Sequence, residues 1–200
     1  MHALIMSGGG GSRLALGEKP LVLICGQPML AHVIRAFQDA GCEPVVALSP
    51  RTPMTLNWCR ANNIAFYKTE GKGFVEDMID AVRFLEEDRP LFVSVSDIPC
   101  ITAELIRSIK RSYDSCRKDA LSTWVPAAMV QSCRGGMPYR ETIGGIEACP
   151  AGINILRGDR IGEVQDEHPL LMREPCLAFN VNTRSDLAEA ETFMRNRTPE

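Results

Sequence analysis

The sequence predicts an α/β fold with three layers, in which a mostly parallel, twisted sheet lies between two layers of helices. Short apolar runs alternate along the 200 residues with longer segments whose apolar residues recur at helical spacing. The strongest run, PLFVSVS at 90–96, is typical of a strand buried on both faces. Ligands of such sheets bind beyond the carboxyl ends of the strands, so we expect a site at that edge.

The apolar runs place strands at 2–6, 44–48, 64–67, 90–96, 120–125, 151–156 and 177–182. Helical spacing places helices at 28–41, 55–63, 74–87, 102–116 and 185–196. Thr102 and Ser185 are expected to cap the last two helices. Residues 126–150 are rich in glycine and proline, which favours a flap over a substrate. No linker interrupts the pattern, so we expect one domain over 1–200.

The bulk composition excludes several classes of protein. A net charge of -3 and a pI near 5.7 give no basic surface for nucleic acid. No apolar run reaches the roughly 18 residues that a membrane span needs, and the N-terminus lacks the cationic start of a signal peptide. The eight cysteines contain no CxxC pair and the three histidines are scattered. We expect a cytoplasmic protein with buried thiols.

Four consecutive glycines, Gly8–Gly11, follow the first predicted strand. Successive glycine N–H groups can turn inward and bind phosphate oxygens, and Arg13 and Lys19 add positive charge nearby. The run matches neither the P-loop GxxxxGK[ST] nor the dinucleotide motif GxGxxG. A flexible loop is the alternative, but four glycines cost backbone entropy on ordering, which favours a phosphate-binding role.

The segment GGGGSR (8–13), followed by Lys19-Pro20, resembles the signature GGxG[ST]R…KP of sugar-phosphate-type nucleotidyltransferases. The resemblance implies a nucleotide-diphospho-sugar transferase-like fold with a Rossmann-like nucleotide-binding half. It implies that Arg13 and Lys19 are catalytic and stabilise charge in the transition state. It also implies that the loop embraces a nucleoside triphosphate through Gly8, Gly9, Gly10, Gly11 and Ser12.

Asp97 directly follows the strongest strand, in the sequence Asp97-Ile98-Pro99. The same resemblance implies that this DxP aspartate is a catalytic ligand of Mg²⁺, a cation that prefers hard oxygen ligands. A helix-capping role is the alternative. FNVNTRSDLAEAE (179–191) is similar to an element of the guanylyl-transferring branches. It suggests Asn182 as a second metal ligand and Asn180 as a substrate-binding residue, both on one strand face, with turn residues as the alternative.

Two further segments complete the predicted site. Gly71, Lys72 and Gly73 precede a helix, whose first amides can receive a base or a phosphate, although a plain loop is the alternative. Asp77 and Asp80 on that helix are expected to face solvent. Gly152 and Asn154 lie on a strand that faces the acceptor in related transferases, and an asparagine satisfied at a sheet edge is the alternative.

Taken in order, seven segments from ALIMSGGGGSR to FNVNTRSDLAEAE resemble the archaeal guanylyltransferases of cobalamin biosynthesis. The resemblance implies transfer of GMP from GTP to a phosphorylated corrinoid acceptor, with Mg²⁺ as cofactor, and a homodimer is possible. No nucleic acid or membrane partner is expected. A molybdopterin guanylyltransferase shares the same elements, and a GTP-sensing module without turnover is the alternative from another class.

Overall fold

A computed structural model describes residues 1–9, 14, 16–130 and 139–197 of the chain. Its strands are His2–Met6 (β1), Leu23–Ile24 (β2), Gln27–Pro28 (β3), Glu43–Leu48 (β4), Phe66–Lys68 (β5), Pro90–Val95 (β6), Ala120–Pro126 (β7), Glu141–Ile143 (β8), Ile146–Arg157 (β9) and Glu167–Leu171 (β10). Its α-helices are Met29–Asp39 (α1), Pro53–Ala61 (α2), Phe74–Phe84 (α3), Ala103–Cys116 (α4) and Arg184–Asn196 (α5).

Within these residues, eight strands form one sheet in the spatial order β10-β7-β9-β6-β1-β4-β5, with β8 paired to β9. Strands β5, β4, β1 and β6 pair in parallel, as do β7 and β10. Strand β9 runs antiparallel to its neighbours β6, β7 and β8. The predicted mostly parallel sheet is confirmed, and β2 and β3 form a separate hairpin before α1.

Apolar side chains cover both faces of the sheet, which confirms the three layers. On one face, residues of α1, α2, α4 and α5 pack on alternate strand residues such as Ile5 and Ile153. The rings of Phe37 and Phe92 meet edge to face there, with their centroids 5.4 Å apart. On the other face, α3 packs on Leu4 and Val93 through its own buried residues.

The predicted strand at 177–182 is wrong. Pro175–Ala178 form a 3-10 helix, and an irregular segment follows up to the last helix. The polar and apolar alternation arises because Val181 is fully buried and its backbone N–H donates to the carbonyl of Asp97 at 2.9 Å. The predicted cap of α5 is also wrong, because Thr183 rather than Ser185 caps the helix, in a capping box with Asp186.

Strand β9 begins inside the segment 126–150, whose glycine and proline content predicts a flap. Pro150 lies within the strand opposite Trp124, where the register between β7 and β9 shifts. A bulge is one of the few places where a sheet accepts proline, because a ladder hydrogen bond is already missing there. Residues 131–138 of the predicted flap lie outside the described residues.

The buried thiols that the sequence predicts are confirmed at Cys42, Cys59, Cys100, Cys149 and Cys176, whereas Cys25 is exposed. Burial raises the pKa of Cys59 to about 11 and that of Cys100 to about 12. These two thiols therefore stay protonated at neutral pH and are poor nucleophiles. Among the described residues, no helix is both long and apolar enough to cross a membrane.

Candidate functional site

A cavity of about 280 Å³ opens at the carboxyl edge of the parallel strands, where the sequence predicts the site. Its floor includes Met6, Ala47 and Val95, which lie at the ends of β1, β4 and β6. Its walls come from the glycine loop, from the loop between β4 and α2, and from residues 69–77. Lys19 and Asp97 also line it.

Four of the predicted site residues form one hydrogen-bonded chain beside this cavity. The Lys19 ammonium lies 2.5 Å from Asp97 Oδ2 and donates to Asn182 Oδ1 at 2.8 Å. Asn182 Nδ2 donates in turn to Asn180 Oδ1 at 2.7 Å. The Lys19 and Asp97 side chains are only 14% and 18% exposed, so water screens their ion pair less than it screens a surface pair.

The local structure holds each member of this chain in place. Lys19 begins a 3-10 helix, Lys19–Leu21, in which buried Pro20 fixes the backbone direction. Asp97 lies just beyond β6, where its carbonyl accepts the Val181 N–H. The N–H of Asn182 donates to Asp186 Oδ2 at 2.8 Å. The prediction that the two asparagines share a strand face is wrong, because the segment is not a strand, but their side chains still hydrogen-bond each other.

Asp97 carries the feature that fits a metal. Its Oδ1 atom is buried and has no hydrogen-bond partner among the described residues. The alternative role as a helix cap is wrong, because Thr102 caps α4 by accepting from Leu105 N at 3.1 Å. A buried carboxylate oxygen without a partner is costly unless a cation or donor reaches it, so the residue fits the predicted Mg²⁺.

The described residues contain no cluster of three or more histidine, cysteine or acidic side chains that could hold a metal by themselves. Mg²⁺ commonly binds through one or two carboxylates together with substrate phosphates and water, which a single aspartate allows. Asn182 Oδ1, the other predicted ligand, accepts from Lys19 in this structure. Its role toward a metal stays a prediction.

The glycine loop is described only in part. Gly8 and Gly9 line the cavity, and the Ser49 hydroxyl donates to the Gly8 carbonyl at 2.8 Å. This bond ties the start of the loop to the segment after β4. Gly10, Gly11, Ser12 and Arg13 lie outside the described residues, so their predicted contacts with a triphosphate stay predictions.

The loop from 71 to 73 lines the cavity through Gly71 and Gly73. The Lys72 ammonium pairs with Glu70 at 2.5 Å on the exposed surface and Lys72 does not line the cavity, so its contact with a nucleotide stays a prediction. The expectation that Asp77 faces solvent is wrong, since it is buried and lines the cavity. The reason is local, because Asp77 Oδ1 accepts from Gly71 N and Lys72 N at 3.0 and 3.2 Å.

Gly152 and Asn154 lie in β9, beside the cavity rather than in its lining. A Cβ at Gly152 would meet Val95 Cγ2 at 2.6 Å, and Val95 belongs to the cavity floor. Asn154 pairs with Val93 on one side and Ser122 on the other. The alternative of an asparagine at a sheet edge is therefore wrong, and binding of an acceptor by these residues stays a prediction.

Glu18 and Arg51 lie beside the site but are not predicted from the sequence. Glu18 Oε1 accepts from Met54 N at 2.7 Å, and its Oε2 accepts from both the N–H and the hydroxyl of Thr55. The carboxylate thus caps the N-terminus of α2 and fixes the chain next to Lys19. Arg51 lines the cavity, and its guanidinium has no hydrogen bond or ion pair with the described part of the chain. Neither role has a signal in local sequence.

Comparison with known proteins identifies the family. The protein family described as the MobA-like NTP transferase domain matches residues 3–197. The chain belongs to this family. The adenosylcobinamide-phosphate guanylyltransferase of Methanocaldococcus jannaschii is 29% identical over 98% of both chains, which confirms the resemblance that the sequence motifs carry. The chain is therefore an enzyme of nucleotidyl transfer.

Solved structures place this MobA-like transferase in the expected fold. HddC from Yersinia pseudotuberculosis superposes with a TM-score of 0.73 at 16% identity, over 97% of this chain and 100% of its own. A CMP:2-keto-3-deoxy-manno-octonic acid synthetase solved with CTP gives a TM-score of 0.68 at 17% identity, over 97% of this chain and 98% of its own. The predicted nucleotide-diphospho-sugar transferase-like fold is confirmed.

Proposed function

We propose that this enzyme transfers GMP from GTP to adenosylcobinamide phosphate and releases pyrophosphate. The observation that carries the proposal is the match over 98% of both chains to a guanylyltransferase with that acceptor in its name. The contact between Lys19, Asp97 and Asn182 at a cavity on the binding edge of the sheet supports it. The acceptor and the donor base are both part of the proposal.

The reaction needs little acid–base catalysis. A phosphate monoester has a second pKa near ~6, so the acceptor phosphate is mostly a dianion at neutral pH. One of its oxygens attacks the α-phosphorus of GTP in line, and the bond from that phosphorus to the β-phosphate oxygen breaks as pyrophosphate leaves. Positioning and stabilisation of the negative charge then supply most of the rate.

The predicted site residues divide this work. The amides of the glycine loop, Arg13 and Lys19 bind the β- and γ-phosphates and stabilise the charge of the leaving pyrophosphate. Lys19 is already fixed by Asp97 and Asn182, so little reorganisation precedes its contact with phosphate. Asp97, with Asn182, would hold Mg²⁺, which neutralises charge on the phosphate oxygens when it is bound.

The acceptor has room beside the chain of four side chains. A second cavity of about 250 Å³ is lined by Asn180 together with Met129, Pro175 and Phe179. Asp186 and Glu189 also line this cavity, so it combines an apolar wall with a polar end. That combination suits a bulky ligand whose polar group is held near Asn180. We assign this cavity, with Gly152 and Asn154 on the sheet face, to acceptor binding.

The test measures pyrophosphate release from GTP and Mg²⁺, with adenosylcobinamide phosphate and molybdopterin offered as separate acceptors. The proposal expects release with the corrinoid alone. Release with molybdopterin alone would keep the nucleotidyl chemistry but replace the acceptor, and tight GTP binding without release from either would favour a sensing module. The predicted homodimer and cytoplasmic location stay predictions.

A further inference from the structure

The Asp77 carboxylate, in the first turn of α3, is a feature of the cavity that none of these roles uses. The residue is only 6% exposed, and it lines the cavity assigned to the nucleotide. Burial of an ionised carboxylate is costly unless its oxygens find donors. Oδ1 finds two, the N–H groups of Gly71 and Lys72.

The second oxygen of Asp77, Oδ2, is in a different position. It has no hydrogen-bond partner among the described residues. Unlike Asp97 Oδ1, however, it is accessible to solvent. Because Asp77 lines the cavity, we infer that Oδ2 is reached from the cavity side. The wall therefore presents a carboxylate oxygen that is free to accept hydrogen bonds.

The loop before α3 offers no free hydrogen-bond donor from Gly71 or Lys72 beside this acceptor. Its Gly71 and Lys72 N–H groups point to Asp77, so they are not available as donors to a base. The only nearby ammonium on this loop, that of Lys72, is paired with Glu70 at the surface. The wall thus offers an acceptor with a full negative charge, which forms the stronger class of hydrogen bond.

Among the common bases, guanine alone carries two adjacent donors on its Watson–Crick edge, the N1–H and the 2-amino group. Adenine and cytosine have an acceptor at the corresponding ring nitrogen, which a carboxylate repels. We propose that Asp77 is the residue that selects guanine, with Oδ2 accepting from the N1–H and the 2-amino group. This inference rests on the proposed function, because it assumes that GTP is the donor.

Arg51 supplies the opposite polarity in the same cavity. Its guanidinium has no partner in the described ranges of the chain, and arginine is the side chain that most often donates to O6 and N7 of guanine in nucleic-acid recognition. An acceptor at Asp77 and a donor at Arg51 match the two edges of this base. Asp77 therefore distinguishes purines by the group at carbon 2, whereas Arg51 adds affinity for any purine with an oxygen at carbon 6.

The test first compares the equilibrium affinities of the full-length wild-type enzyme for GTP, ATP, CTP and UTP by titration calorimetry, and then those for GTP, ITP and XTP. ITP lacks the 2-amino group, and XTP carries a carbonyl oxygen in its place. Asp77→Asn keeps an oxygen for the two loop amides but turns an NH₂ donor toward the base. We expect its preference for GTP over ITP to fall about tenfold and its preference for XTP over GTP to rise by a similar factor.

Two controls separate base recognition from support of the loop. Asp80→Asn removes a charge one turn further along α3, outside the cavity lining, and should leave all three affinity ratios unchanged. Arg51→Met should weaken GTP and ITP equally. If Asp77→Asn fails to fold, the wild-type enzyme still tests the idea, because N1-methyl-GTP and ITP must each bind about tenfold more weakly than GTP.

The outcomes distinguish this inference from the proposed function. A wild-type enzyme that prefers GTP, with an Asp77→Asn variant that has unchanged ratios or loses all three nucleotides equally, overturns the inference alone. A wild-type enzyme that prefers ATP, CTP or UTP overturns the proposed donor, and the inference falls with it. A shift of the ratios toward XTP supports both.

Discussion

The two ends of the sheet each carry a partly buried ionic network, and the two networks differ in one respect. At the amino end, Glu87 is 3% exposed and both its oxygens are used: Oε2 lies 2.5 Å from His2 Nδ1, and Oε1 accepts from Arg89 N at 3.0 Å. At the carboxyl end, Asp97 Oδ2 meets Lys19, but Oδ1 has no partner among the described residues.

This difference teaches how the fold separates stability from binding. A buried acceptor without a donor costs about 1–3 kcal/mol, so a network that serves stability alone is expected to close, as the one around Glu87 does. The network around Asp97 is open in the sense that Oδ1 has no donor among the described residues although Asp97 lines the cavity, and an unpaired acceptor is useful only if a ligand completes it. Substitutions at the two ends should therefore change different quantities.

The largest expected effect is on catalysis, at the open network. Lys19→Met removes the ammonium while keeping much of the length of the side chain. We expect kcat/KM to fall about 10²–10³-fold, as for the loss of one preorganised donor. The melting temperature should fall only modestly, because water can reach the 18% exposed Asp97 side chain that loses its donor. Steady-state pyrophosphate release measures the first quantity and calorimetry the second.

Lys118→Met is a matched control for Lys19, because it removes a lysine from an exposed ion pair with Asp166. Its kcat/KM should match that of the wild type. Wild-type turnover in Lys19→Met would remove this residue from the mechanism, and a large loss of stability in that variant would show that the open network also holds the fold together.

A smaller effect, on stability alone, is expected at the closed network. Burial by itself would raise the pKa of the Glu87 carboxyl, but the hydrogen bonds from His2 and Arg89 outweigh it and hold the pKa below its ordinary value of 4.5. Glu87→Gln should lower the free energy of unfolding at pH 7 by about 2–3 kcal/mol, measured by urea denaturation.

The pH dependence of that loss has a definite sign. Because the pKa of Glu87 is lower in the folded chain than in the unfolded chain, its contribution is present above pH 4.5 and is lost as the pH falls through the folded-state value. The difference between wild type and Glu87→Gln should therefore shrink below pH 4.5. Glu86→Gln, at the exposed neighbouring position, is the control, and a gap that widens in acid would refute the assignment.

The smallest effect is expected at Glu18, which closes a network of its own at the open end of the sheet. Glu18→Gln leaves one of the α2 donors facing an amide NH₂, so we expect a loss of about 1 kcal/mol in the free energy of unfolding. Turnover should fall by less than it does in Lys19→Met. A variant as inactive as Lys19→Met but fully stable would mean that Glu18 acts in the reaction itself.

The sequence predicts the fold best where strands are buried on both faces. A run such as PLFVSVS is stable only as a central strand, because apolar residues on both of its faces must be buried. Strand β10 has no such signal, since it is a half-exposed edge strand that contains Pro169. The early start of β9 is hidden because Pro150 is acceptable only opposite a bulge in another strand.

The candidate site divides in the same way. Lys19, Asp97, Asn180 and Asn182 belong to short motifs, and the structure brings all four into one chain of contacts. The sequence predicts an exposed Asp77, because a polar residue on an amphipathic helix normally faces solvent. Its burial depends on loop amides that turn toward it. Gly71 permits the positive φ of that loop, but a glycine does not by itself show which side chain its amide will meet.

The late position of β9 in the chain has a consequence for how the chain is made. Strand β6 lies between β1 and β9 in the sheet, yet β9 follows it in the chain by about 50 residues. At the ribosome's pace of about 5–20 residues per second, one side of this strand waits several seconds for its partner. During that interval one edge of β6 has unpaired backbone groups. Binding of chaperones to the nascent chain should therefore peak before residue 157, the end of β9, emerges.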